Sequence, residues 1–132
     1  MKHLTILVLL GTALLSATVS TSPADPLATP APYRHVVLFK FKDDAAKEDV
    51  KAVGDAFVAL KTKIPSIKDF EWGLNVSQEG HDDGFTHVYF VTFKDKAGLD
   101  AYLPHPDHKA FVAKLRPVLD KVTVLDYVAR AK

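Results

Sequence analysis

Arg34 to Lys42, RHVVLFKFK, is the segment that narrows the possible folds most. One parity is His35, Val37, Phe39 and Phe41, and the other is Val36, Leu38, Lys40 and Lys42. Successive side chains of a strand point to opposite faces. Here both faces begin apolar, so the strand needs cover on both sides.

The rest of the chain supplies that cover. Ala46, Val50, Val53, Phe57, Leu60 and Ile64 recur at spacings of four and three. They form one apolar stripe on a helix of about 17 residues. Asp43-Asp44 is the expected N-cap, and Pro65 is the stop. Ile67 to Val76 alternates as a second strand, with Phe70, Trp72, Leu74 and Val76 on one face. The polar, glycine-containing stretch Ser77 to Gly84 is a loop, and Phe85 to Phe93 is a third strand. Asp95 caps a short helix that ends near Leu103. Pro106 suits the first turn of another helix, and Pro117 shortens that helix's last turn. Val122 to Val128 is the fourth strand.

The order β-α-β-β-α-β, with its second helix broken in two, predicts an α+β ferredoxin-like sandwich. Such a sheet carries helices on one face only. Val36, Leu38, Val88 and Phe90 then form an uncovered apolar face. A second copy of the same sheet is the expected partner, giving a two-fold symmetric homodimer.

The N-terminal residues fall outside this pattern. A short basic start, Met1-Lys2-His3, precedes an apolar run from Leu4 to Leu15 and then small residues. That layout predicts a signal peptide over residues 1–24, with cleavage after Ser20, Ser22 or Ala24. The apolar run falls short of the roughly 20 residues a spanning helix needs, so no membrane association is expected after cleavage. Residues 25–32, rich in Pro and Ala, form a flexible linker, and the folded domain is expected over residues 33–130. The protein is therefore expected to be exported, as a periplasmic or secreted protein. It contains no cysteine, which excludes disulfides, redox thiols and thiolate metal sites. The net charge is +1 with both signs interspersed, and no nucleic-acid footprint results.

Chemistry concentrates in Tyr102-Leu103-Pro104-His105-Pro106-Asp107-His108. His108, Phe111, Val112, Leu115 and Leu119 lie at i, i+3, i+4, i+7 and i+11, so His108 shares the buried stripe of its helix. An imidazole there serves either as a general base or as a core residue bonded to a nearby carbonyl. Tyr102 is either an oxyanion donor or an aromatic anchor. His105, between two prolines, reads as structural or exposed. His105 and His108 lack the third and fourth ligands a zinc site needs, so no metal is expected. Asp82-Asp83 reads as solvated, and Asn75-Val76-Ser77 fits a glycosylation sequon. Asp126 reads as a paired or capping carboxylate.

Several ordered segments carry a resemblance: Arg34 to Lys42, Ile64-Pro65, Trp72 to Ser77, Gly84 to Val88, Tyr102 to His108, Phe111, and Asp126-Tyr127. Together they resemble the stress-responsive A/B barrel (Dabb) domain. The resemblance implies a ferredoxin-like fold and a dimer whose two sheets close into an α/β barrel. One plant member of that family is an enzyme. It closes a linear tetraketide by intramolecular aldol condensation, without metal or organic cofactor. Matching its motif onto this sequence implies Tyr102 and His108 as catalytic residues, His35 and His87 as substrate-binding residues, and no cofactor. Other members are known only as stress-induced proteins.

The expectation is an exported homodimer with a His- and Tyr-lined apolar pocket for a small molecule. The alternative is a cofactor-independent cyclase or lyase, with His108 as general base and Tyr102 as oxyanion donor. Export argues against the plant reaction itself, because polyketide thioesters are made in the cytosol.

Overall fold

The structure is a computed structural model, and it describes residues 31–130. The expected signal peptide (1–24) and all but the last two residues of the linker lie outside the described residues. Seven elements follow in the order β1 (Tyr33–Phe41), α1 (Lys47–Lys63), β2 (Ile67–Leu74), β3 (His87–Phe93), α2 (Lys96–Tyr102), α3 (Pro106–Leu115) and β4 (Leu119–Val128). The four strands form one sheet in the order β2-β3-β1-β4, and every neighbouring pair is antiparallel. This is the expected ferredoxin-like arrangement.

Register divides β1 as its sequence demands. His35, Val37, Phe39 and Phe41 are buried beneath the helices, with Tyr89, Val91 and Phe93 of β3 beside them. Val36 and Leu38 turn to the other face, opposite Phe90 and Val88 on one side and Leu125 and Thr123 on the other. Among the described residues that second face has no covering layer. Arg34 crosses it, donating to the Thr92 hydroxyl and lying 5.2 Å from the centre of the Phe90 ring.

The helix layer is joined to the sheet by aromatic rings. Phe57 on α1 stacks on Phe111 of α3 with centroids 4.3 Å apart, and it also contacts Tyr89 at 4.6 Å and Phe39 at 5.8 Å. Val53 and Leu60 extend the same stripe of α1 into the core.

Local differences from the expected elements have local causes. Asp43-Asp44 does not cap α1. Lys42 accepts a hydrogen bond from the Ala45 backbone instead, and this closes a turn that delays the helix to Lys47. Ala46 is the cap residue and provides no side-chain bond, while Glu48 and Asp49 place negative charge in the first turn. β2 ends early because Asn75 donates its side-chain amide to Asp82 and to the Phe85 carbonyl, fastening the β2–β3 loop. That loop also delays β3 to His87, two residues after the expected start. Helix α3 stops at Leu115, and β4 begins three residues before its expected start. Asp95 caps α2 as expected, accepting from the Gly98 backbone.

Phe57→Ala is expected to destabilise the fold by about 3–5 kcal/mol, because it opens a cavity at the joint between α1, α3 and the sheet. Urea unfolding monitored by circular dichroism checks this; a loss below about 1 kcal/mol would mean the stack is not the joint.

Candidate active site

The helix layer does not cover β4 completely. Val122 and Val124 pair with Phe39 and Val37 across the ladder and so share the helix-side face, yet each remains about half exposed. The space between this strand and α2–α3 is a cavity of about 490 Å³. Its walls are mostly apolar, including Val37, Phe39, Phe57, Phe111 and Leu115. Five polar side chains, from His35, Tyr102, His108, Arg116 and Asp126, interrupt them.

His35 and Asp126 meet because of strand register. They are direct partners in the β1–β4 ladder, which puts both side chains on the same face. Their contact is 2.7 Å, from His35 Nδ1 to Asp126 Oδ1. A carboxylate only accepts, so Nδ1 carries the proton and the neutral ring keeps its lone pair on Nε2. His35 is buried, while Asp126 stays partly open to solvent.

His108 is held by the turn between α2 and α3. Its Nδ1 lies 3.0 Å from the Leu103 carbonyl oxygen, which again only accepts. Nδ1 is therefore the donor, and Nε2 of the neutral ring bears a free lone pair. Burial lowers the pKa of His108 below its ordinary 6.5, the Leu103 bond pulls the other way, and His35 and His105 add small lowering effects. At neutral pH the ring is a base in its unprotonated state.

Tyr102 lies between the two imidazoles, 5.7 Å from His35 and 4.2 Å from His108 by ring centroids. It is fully buried, and its hydroxyl has no hydrogen-bond partner among the described residues. Burial pushes its pKa well above the ordinary phenol value, so the group remains a donor. An unpartnered buried hydroxyl costs about 1–3 kcal/mol, a cost that a ligand oxygen would remove.

His87 stands apart from this group. It is on the same face of the sheet, but it pairs with Phe39, whereas His35 pairs with Val91. Four residues of strand separate the two positions, roughly 13 Å. His87 rests edge-on to Phe41 at 4.9 Å and bonds the Thr86 hydroxyl at 2.8 Å, and it does not line the cavity. Burial lowers its pKa as well. His105 is structural as expected, capping α3 by accepting from the Asp107 backbone. Asp126 is paired as expected, but it is also a wall of the cavity, which the sequence reading did not foresee. The available signal was parity: Asp126 alternates with Val122, Val124 and Val128, and a carboxylate in an apolar row needs a partner. Among the described residues, no three His, Asp or Glu side chains converge as a metal site would require.

The family model described as Stress responsive A/B Barrel Domain matches residues 33–129. The stress-response A/B barrel domain-containing protein HS1 of Arabidopsis thaliana is 36% identical over 96 residues, covering 73% of this chain and 88% of the relative. Olivetolic acid cyclase of Cannabis sativa is 32% identical over 97 residues, covering 74% of this chain and 96% of the relative. Among solved structures, hydroxynitrile lyase from Passiflora edulis aligns with a TM-score of 0.73 and 26% identity, over 78% of this chain and 97% of its own. A protein of unknown function from Bacteroides fragilis, described as dimeric with a ferredoxin-like fold, aligns with a TM-score of 0.61 and 27% identity, over 74% of this chain and 96% of its own.

The depressed histidines set a pH dependence. Between their folded pKa values and 6.5, the unfolded chain binds more protons than the folded one, so unfolding free energy rises with pH across that interval. Stability is expected to fall when the pH is lowered from about 7.5 to about 5.5, and His108→Gln should flatten part of that slope. Urea titrations at both pH values check it. A slope of the opposite sign would show that these rings are stabilised in the charged form.

Proposed function

The chain belongs to the stress-responsive A/B barrel domain family, and from that membership we propose that it is a homodimer whose cavity binds a small, largely apolar molecule bearing a carbonyl or hydroxyl group. The observation that carries this reading is the meeting of three groups on one cavity wall. They are the unpartnered Tyr102 hydroxyl, the His35–Asp126 pair, and His108 with its free Nε2. An apolar cavity of this volume with a few convergent polar groups has the make-up of a small-molecule site.

The second reading is catalytic, and the tautomer of His108 favours it. With Nδ1 committed to Leu103, Nε2 is the atom that takes a proton from a carbon beside a carbonyl, or from a hydroxyl. Tyr102 then donates to the oxygen on which negative charge develops. That chemistry asks nothing of a metal or an organic cofactor. The relatives named as a cyclase and a hydroxynitrile lyase support a cyclase- or lyase-type reaction. Asp126 orients His35 by accepting from its Nδ1, so this second imidazole presents Nε2 to the substrate.

In the proposed dimer, the uncovered sheet face is the interface. Val36, Leu38, Val88, Phe90 and Leu125 form a continuous apolar surface there, and the dimeric description of a neighbouring fold supports the pairing. The signal-like residues 1–24 support an exported setting for the protein.

Two outcomes are expected. Light scattering at micromolar concentration should give twice the chain mass, and Leu38→Glu should give the monomer; a monomeric wild type would remove the dimer. In a screen of aryl and alkyl carbonyl compounds, His108→Ala should reduce turnover at least about a hundredfold while keeping the dimer. Turnover unchanged in that variant would take His108 out of the mechanism. Ligand binding without any turnover would leave the binding reading alone.

A further inference from the structure

The cavity has an outer extension that the groups above do not use. Beyond His108, a groove of about 380 Å³ runs along the exposed side of α3. Leu103, His108, Val112 and Arg116 line both the groove and the inner cavity, so the two spaces are adjacent. The groove floor is apolar, from Leu103, Val112 and Ala113. Its charged lining residues are both cations, Lys109 and Arg116.

Arg116, the C-cap residue of α3, lies seven positions after Lys109 and keeps helical backbone angles, so the two share a face two turns apart, about 10 Å. Both are exposed, and neither side chain has a hydrogen bond or carboxylate partner among the described residues. Lys51, Lys61, Lys63 and Lys96 contact aspartates, whereas Lys47 and Lys114, like Lys109, have no acidic partner among the described residues. Asp126 is the one carboxylate on the cavity wall, and it is engaged with His35 on the opposite side. Charge is thus divided along the site. The negative group is tied to the buried His35, and two unpaired positive groups line the groove.

We propose that the ligand of this site is an anionic amphipath. Its carbonyl end would sit against Tyr102 and His108, its apolar body would cross Val112, and its carboxylate or phosphate would be held by Arg116 and Lys109. The guanidinium gives the directional contact, because its planar fork fits either oxyanion in two-point fashion. Lys109 adds a second positive charge to the same groove. The proposal rests on the cavity being the binding site, and it adds the class of molecule that enters. It also assigns an orientation, since an anion placed inward would face the Asp126 carboxylate.

Three fluorescent probes test it by titration into the protein: 2-acetylnaphthalene, 6-acetyl-2-naphthoate and 6-acetyl-2-naphthyl phosphate. They share the aryl ketone and differ in the far group. At least one anion is expected to bind about three- to tenfold tighter than the neutral ketone, with the advantage shrinking as salt is added. Whichever anion gains more identifies the head group. The R116A/K109A double variant should erase the advantage, and the K109A single variant, at a residue outside the inner cavity, should reduce it while leaving the neutral ketone's affinity unchanged. Equal binding of all three probes, or an anion advantage that survives the double variant, would overturn the proposal and leave the cavity reading standing. Binding of none of them would overturn both.

Discussion

The stacked pair Phe57–Phe111 is the contact on which the rest of the arrangement depends. It is the direct link between the long helix α1 and the short helix α3, and both rings also reach Phe39 on the central strand. Ring pairs of this kind contribute about 0.5–1.5 kcal/mol beyond the area they bury, and this one is fully enclosed. Once α3 is held there, its first turn carries His108 over Tyr102 and its last turn carries Arg116 past the edge of β4. α3 is only ten residues long and ends before Pro117. It leaves the inner row of β4 half covered, so the cavity is the consequence of a helix layer that stops short of an edge strand.

The polar groups of that cavity are arranged so that three of them remain useful at neutral pH. Two imidazoles close together would repel if both were charged. Asp126 fixes His35, the more deeply buried ring, through Nδ1, while burial lowers the pKa of His108. Tyr102 between them stays protonated. The site therefore combines a base, a neutral donor and an oriented His–Asp pair without any of them neutralising another. Each of the two imidazoles has one nitrogen fixed by an acceptor, which leaves the same nitrogen, Nε2, available in both.

Much of this was legible in the sequence, and the limits have physical reasons. Parity in Arg34 to Lys42 announced β1 and its buried row His35, Val37, Phe39 and Phe41, and the three-four spacing from Val50 to Ile64 announced α1. The paired prolines at 104 and 106 announced the break between α2 and α3. Each of these signals is local. The partnership of His35 with Asp126 is not, because it joins positions 91 apart and depends on how β4 registers against β1. The placement of His87 failed to follow for the same reason. Its parity correctly put it on the helix side, but parity carries no information about distance along the sheet. Asp43-Asp44 misled because capping potential is common in loops, and here a tighter turn at Lys42–Ala45 competed for the backbone.

In the proposed readings, binding and catalysis draw on the same groups, and the difference between them lies in where a ligand's carbonyl comes to rest. The Tyr102 hydroxyl carries an unsatisfied donor at a fully buried position, and the folded protein bears that cost whether or not a ligand is present. A purely packing role would be served equally by phenylalanine, which fills nearly the same volume with no stranded polar atom. Tyr89 and Ser66 carry the same kind of unpartnered hydroxyl, but of the three only Tyr102 lines the cavity, and in the proposed reading a ligand oxygen is its partner. A carbonyl oxygen drawn to that donor brings its neighbouring carbon under His108, whose ring overlies Tyr102 at 4.2 Å. The same interaction that gives affinity thus places an acidic C–H or O–H beside a base, and the acidity of the ligand decides whether the complex stops at binding or goes on to proton transfer.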